Sequence, residues 1–83
     1  MQIRTEGLVW QELDGDLVLM DLERSVYLTT NATGTVLAKL LTEERTREEL
    51  ADHLVEQFEV DRERALHDVD AFIAQLREKK LLR

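Results

Sequence analysis

The chain changes character once, at Asn31. Before it stand short β-prone runs broken by turn residues. After it, apolar residues recur at helical spacing, and no proline interrupts them. This switch limits the chain to a block of strands followed by a block of helices. Leu8-Val9-Trp10-Gln11-Glu12-Leu13 runs into Asp14-Gly15, a two-residue hairpin signal. Residues 16–22 form a mostly apolar run between turn residues and read as a buried central strand. Glu23-Arg24 makes a second turn, and Ser25-Val26-Tyr27-Leu28-Thr29 a third strand. Short turns between neighbours predict an antiparallel meander in the order 1-2-3, with strand 3 at an edge.

Three helices follow. Asn31 is an N-cap residue, and Leu37, Leu40 and Leu41 give the first helix its apolar stripe. Thr46-Arg47-Glu48-Glu49 spells a capping box ahead of Leu50, Leu54 and Phe58. Asp61 caps a third helix whose Ala65, Leu66, Val69, Phe72, Ile73 and Leu76 fall within an arc of roughly 120°. Leu81-Leu82 tuck in after it. Strands then helices predict an α+β fold: a three-stranded antiparallel β-meander and three α-helices, winged helix-turn-helix-like. A chain of 83 residues buries roughly 60–65% of its unfolded surface, enough for one core, so residues 1–83 read as one domain.

Little in the sequence can perform chemistry. There is no cysteine, hence no disulfide and no thiolate metal site. His53 and His67 sit on charged helix flanks, with no Ser or Cys placed to use them as a base. Asp14, Asp16 and Asp21 lack calcium-loop spacing, and Gly15 and Gly34 are too isolated to cradle a phosphate. The expectation is a non-enzyme with no cofactor and no metal. A net charge of −7 argues against nucleic acid, the target that a winged-helix DNA binder would require. Arg77, Lys79, Lys80 and Arg83 read as cations answering the dipole of the last helix. No signal-peptide core follows Met1, and no run approaches the ~20 apolar residues of a membrane span, so a cytoplasmic protein is expected.

The remaining feature is the edge. Ser25-Val26-Tyr27-Leu28-Thr29 carries neither proline nor lysine nor an inward charge, the usual guards of an open strand. Either another element covers it, or an extended peptide adds to it as a fourth strand. In the second case the backbone of Ser25 to Leu28 would pair with the peptide, and Val26, Tyr27 and Leu28 would lend side chains. Helix 3, the longest helix, is the expected wall. Val69 and Ile73 would line an apolar pocket there, and Asp70 and Arg77 would select polar or charged positions. The flank carrying Asp68, Phe72 and Lys79 is the alternative. An open edge also permits a strand-swapped dimer in place of a monomer.

The ordered set Asp14-Gly15, Leu19-Met20-Asp21-Leu22-Glu23-Arg24, Tyr27, Asn31-Ala32-Thr33-Gly34, Thr46-Arg47-Glu48-Glu49-Leu50 and Phe72, Leu76, Leu81-Leu82 resembles the D-protein family of pyrroloquinoline quinone biosynthesis. That resemblance implies a recognition element for ribosomally made, modified peptides, which binds a precursor's leader along strand 3 beside helix 3. A stand-alone copy is most similar to the leader-binding protein of lasso-peptide maturation. Its implied partners are the precursor leader, a cysteine protease that removes it and an ATP-dependent cyclase. A peptide chaperone serving a radical enzyme of quinone-cofactor synthesis is the neighbouring alternative. The chain departs from the family at three places: Thr30 where Leu usually precedes the Asn, Val36-Leu37 where an aromatic commonly stands, and Lys80 where Gly commonly precedes the final leucines.

Overall fold

Two local signals set the strand block. Asp14 and Gly15 both adopt positive φ, 53° and 84°, the geometry of a type I′ turn. They close β1 (Leu8–Leu13) onto β2 (Asp16–Asp21) with Leu13 opposite Asp16. β2 pairs in turn with β3 (Val26–Thr30), Asp21 opposite Val26 and Leu17 opposite Thr30. The order is β1-β2-β3, antiparallel throughout, in a computed structural model that describes all 83 residues. β3 begins and ends one residue later than its composition predicts. Ser25 sits at φ 56°, in the left-handed region, and so belongs to the turn.

The helices start where capping chemistry places them. Asn31 accepts from the Gly34 N–H at 2.9 Å and opens α1 (Ala32–Leu40). Thr46 and Glu49 form the reciprocal capping box of α2 (Arg47–Phe58), at 3.1 Å and 2.8 Å. Asp61 accepts from the Arg64 N–H and opens α3 (Arg62–Glu78). α2 and α3 form a helical hairpin reversed at Glu59, which takes the left-handed conformation at the end of α2.

Directly opposed residues share a sheet face. Trp10, Leu19 and Leu28 form one row toward the helices, and Glu12, Leu17 and Thr30 another. Leu17, Leu19 and Leu28 are buried with Leu37, Leu41, Leu50, Leu54, Val69 and Leu76 in one core of sixteen apolar residues. Val9, Met20 and Tyr27 occupy the opposite, outer face. Ile3, buried although nothing periodic surrounds it, ties the two chain ends together. Its N–H donates to the Leu41 carbonyl at 2.9 Å, and it bridges Leu82. No helix is long and apolar enough to cross a membrane.

Candidate functional site

The register decides which main-chain groups β3 leaves open. In a two-residue hairpin the residues flanking the turn exchange both hydrogen bonds, so Leu13 and Asp16 are a bonded pair. Alternation then turns Asp16, Val18 and Met20 toward β1, and Leu17, Leu19 and Asp21 toward β3. On β3, Val26, Leu28 and Thr30 are spent on β2. Tyr27 and Thr29 point their N–H and C=O groups at the open edge, and no backbone bond from a turn, loop or cap reaches either. The open pair is therefore Tyr27 and Thr29, within a segment where sequence pointed to Ser25 through Leu28.

The wall beside this edge is built around Gly34. A Cβ at Gly34 would stand 2.9 Å from Thr30 Cβ and 3.2 Å from Phe72 Cε1. Only a glycine lets the first turn of α1 fit between the end of β3 and the ring of Phe72. Behind it, Thr35 Oγ1 donates to the Asn31 carbonyl at 2.9 Å and lies 2.7 Å from the buried hydroxyl of Thr30. A cleft of about 210 Å³ opens between the start of α1 and α3, lined by Asn31, Thr33, Leu37, Asp68, Phe72 and Gln75 among others. No Cα of α3 comes within 8 Å of β3, a separation exceeding the ~4.8 Å between paired strands.

The flank of α3 facing this cleft differs from the expected one. At ~100° per residue, Arg64, Asp68, Ala71, Phe72, Gln75 and Lys79 fall within an arc of roughly 100°, beside the core stripe. Leu66, Asp70 and Arg77 lie on its far side. Asp70 there accepts from Arg47 of α2 at 2.6 Å and 2.8 Å, and this pairing holds its carboxyl below the usual range. Arg77 lies beside Met1 and Leu82 instead of the cleft. Val69 is wholly buried and Ile73 nearly so; both belong to the core. Leu28 is likewise a core residue, and Val26 is half-buried on the helix-facing side. Tyr27 is 57% exposed, on the outer face of the sheet.

A second anchor holds the start of β3. Asp21 is 2% exposed. It accepts from Arg4 Nη2 at 2.8 Å and from the Arg24 N–H at 3.2 Å, which closes the turn into β3. The Arg4 hydrogen bond, aided by Arg24, holds the Asp21 carboxyl below the usual carboxylate range despite its burial. Arg4 Nε also donates to the Lys80 carbonyl at 3.0 Å, so one guanidinium joins the end of β2, opposite Val26, to the chain just past α3.

An open strand edge on a meander followed by a helical hairpin defines a winged-helix-like α+β domain. The chain belongs to the family of coenzyme PQQ synthesis protein D (PqqD), whose profile matches residues 16–82. No curated protein matches it in sequence. Among solved structures it is similar to TbiB1 in complex with the TbiA(beta) leader peptide. Identity is 30% and the TM-score 0.86, over 100% of this chain and 95% of that one. It also shares the fold of a lasso peptide synthetase B1 complexed with the leader peptide, at 24% identity and TM-score 0.79, over 94% of this chain and 93% of the other.

Proposed function

We propose that this protein captures the leader of a ribosomally made precursor peptide as a fourth strand on β3, and that it presents the leader to a processing enzyme without performing chemistry itself. The observation carrying this reading is the open main-chain pair at Tyr27 and Thr29, on a strand whose last residue, Thr30, flanks Gly34 opposite the Phe72 ring of α3. The similarity to TbiB1, solved with a leader peptide, supports it. Main-chain bonds to Tyr27 and Thr29 set the peptide's register, and the cleft beside Phe72 and Gln75 takes alternate side chains. The ordering cost of an unstructured leader is a few kcal/mol, which the apolar contact offsets. The lasso-type setting supplies the other partners: a cysteine protease and an ATP-dependent cyclase in the cytoplasm. The PqqD match favours a second reading of the same site, a peptide chaperone for a radical enzyme.

Calorimetric titration with the leader encoded beside this gene tests the reading. Proline at Thr29 removes only an outward N–H, so Thr29→Pro is expected to fold and to lose binding. Proline at Leu28 removes a ladder bond to β2 and is expected to unfold the sheet. A folded Thr29→Pro protein that still binds the leader at full strength would overturn the reading.

A further inference from the structure

The cleft has two ends of different character, and its course can be traced. Phe72 sits at the end of β3, because its ring and Thr30 flank the same glycine. The chain just past α3 lies toward the start of β3, because Arg4 joins the Lys80 carbonyl to Asp21, the residue opposite Val26. α3 therefore runs antiparallel to β3 along the cleft. Seven helical residues from Phe72 to Lys79 cover about 10 Å, close to the ~13 Å of the four steps from Val26 to Thr30. Lys79 shares the row of Phe72, about 20° away in projection, and lies one helical turn beyond Gln75, the last α3 residue lining the cleft, toward the Val26 end.

Charge singles Lys79 out. Of eleven lysines and arginines, eight have a carboxylate within 4.0 Å: Arg4 and Arg24 share Asp21, and Lys39, Arg45, Arg47, Arg62, Arg64 and Arg83 each hold an acidic residue. The three left over are Arg77, Lys79 and Lys80. Arg77 and Lys80 line the separate depression beside Met1 and Leu82. Lys79 alone extends the cleft row, and it is half-buried. A half-buried lysine with no carboxylate in reach, in a chain of net charge −7, is free to meet an anion that a ligand supplies.

We infer that Lys79 is a specificity-determining residue of the peptide site. It receives an Asp or Glu of the bound peptide, on the side chain that leaves the cleft beside Val26. The apolar side chain seated near Phe72 lies toward the other end of the same peptide strand. The inference rests on the leader-capture reading and adds a charge pattern to it: an apolar anchor and an acidic residue on one face of the strand, about 10 Å apart. The rival role of Lys79, a cation answering the helix dipole, contributes to the fold and makes no demand on the peptide.

A phage-displayed library of random short peptides, panned against the full-length wild-type protein and against Lys79→Glu, separates these roles. The wild-type pool is expected to carry Asp or Glu at a fixed spacing from an apolar residue, and the Lys79→Glu pool Lys or Arg there. An acidic peptide from the wild-type pool should bind Lys79→Glu about tenfold more weakly, with the gap narrowing as salt rises. Circular dichroism checks that the variant is folded, and Lys79→Gln, with intermediate affinity, isolates charge from shape. Peptides that lose binding to Thr29→Pro yet show no acidic position would overturn this inference and leave leader capture standing. Failure of the wild-type protein to enrich any peptide would overturn both.

Discussion

Gly34→Ala tests whether the site is assembled around that glycine. In an open helix the exchange would help, since Ala exceeds Gly in helix propensity by about 1 kcal/mol. Here the added methyl stands 2.9 Å from Thr30 Cβ, 3.4 Å from Thr30 Cγ2 and 3.2 Å from Phe72 Cε1. Carbon contacts are comfortable at roughly 3.5–4.0 Å, so two walls are breached at once. The Phe72 ring can tilt. Thr30 cannot move easily: its backbone is paired to Leu17, and its hydroxyl is 2.7 Å from that of Thr35. Overpacking a site with one rigid wall costs about 2–3 kcal/mol, within the usual range for an inserted methyl. Subtracting the propensity gain leaves a net loss of about 1–2 kcal/mol. At an m-value near 1 kcal/mol/M, the urea midpoint should fall by about 1–2 M. Because the strain falls on Thr30 and Phe72, peptide capture should weaken even under conditions where the variant is fully folded. A Gly34→Ala protein as stable as the wild type, with unchanged affinity, would refute the reasoning.

Other expectations follow from single residues. Phe72→Ala should abolish peptide capture in calorimetry, whereas Asp70→Ala and Arg77→Ala, on the flank away from the cleft, should leave the affinity unchanged. Lys80 adopts φ 57°, so Lys80→Gly should relieve left-handed strain and raise stability by about 0.5–1 kcal/mol in urea unfolding, after the entropy of the added glycine is deducted. Asp21, Asp70, Glu49 and Glu6 all have carboxyls held below their ordinary values. A carboxylate depressed in the folded state stabilises above its unfolded pKa of about 4, and the contribution is lost as pH falls through the folded value. Thermal melts should accordingly be flat near neutrality and drop on acidification below about pH 4, and Asp21→Asn should lower the melting temperature at pH 7 while narrowing its gap to wild type in acid.

Local chemistry made much of this fold legible. Asn31, Thr46 and Asp61 cap helices because capping requires only residues within one turn, and Asp14-Gly15 dictates its turn because few other pairs accept two positive φ values. Long-range partnerships were hidden. Nothing in the neighbourhood of Asp21 announces that Arg4, seventeen residues away, makes its burial tolerable. Ile3 stands alone among polar residues and is placed by the carbonyl of Leu41. The one-residue shift of β3 comes from the backbone of Ser25, whose left-handed turn has no distinctive residue type. The flank of α3 is the instructive case. Its core stripe is plain from spacing, but each side of that stripe carries an acid and a base, so periodicity alone is symmetric about it. The Arg47–Asp70 pair, which assigns one side to α2, breaks the symmetry and leaves the other to the cleft.

The sheet has two edges, and the proposed capture uses one of them. β1 also leaves alternate main-chain groups open, at Leu8, Trp10 and Glu12 by the same register argument. Glu12 there is held by Lys39 at 2.9 Å, which puts a charged pair on that edge strand, a common guard against added strands. No helix Cα comes within 8 Å of β1. A strand added there would gain hydrogen bonds but little burial of its inward side chains, and main-chain bonds alone contribute only about 1 kcal/mol each net of water. On the proposed reading, a guest at β3 would turn its inward face toward the α3 row from Asp68 through Phe72 to Gln75. Each apolar side chain buried there adds about 1.5–3 kcal/mol. On the proposed reading, the asymmetry between the two edges arises in the helices: Gly34, in the first turn of α1, is small enough to bring Phe72 alongside Thr30.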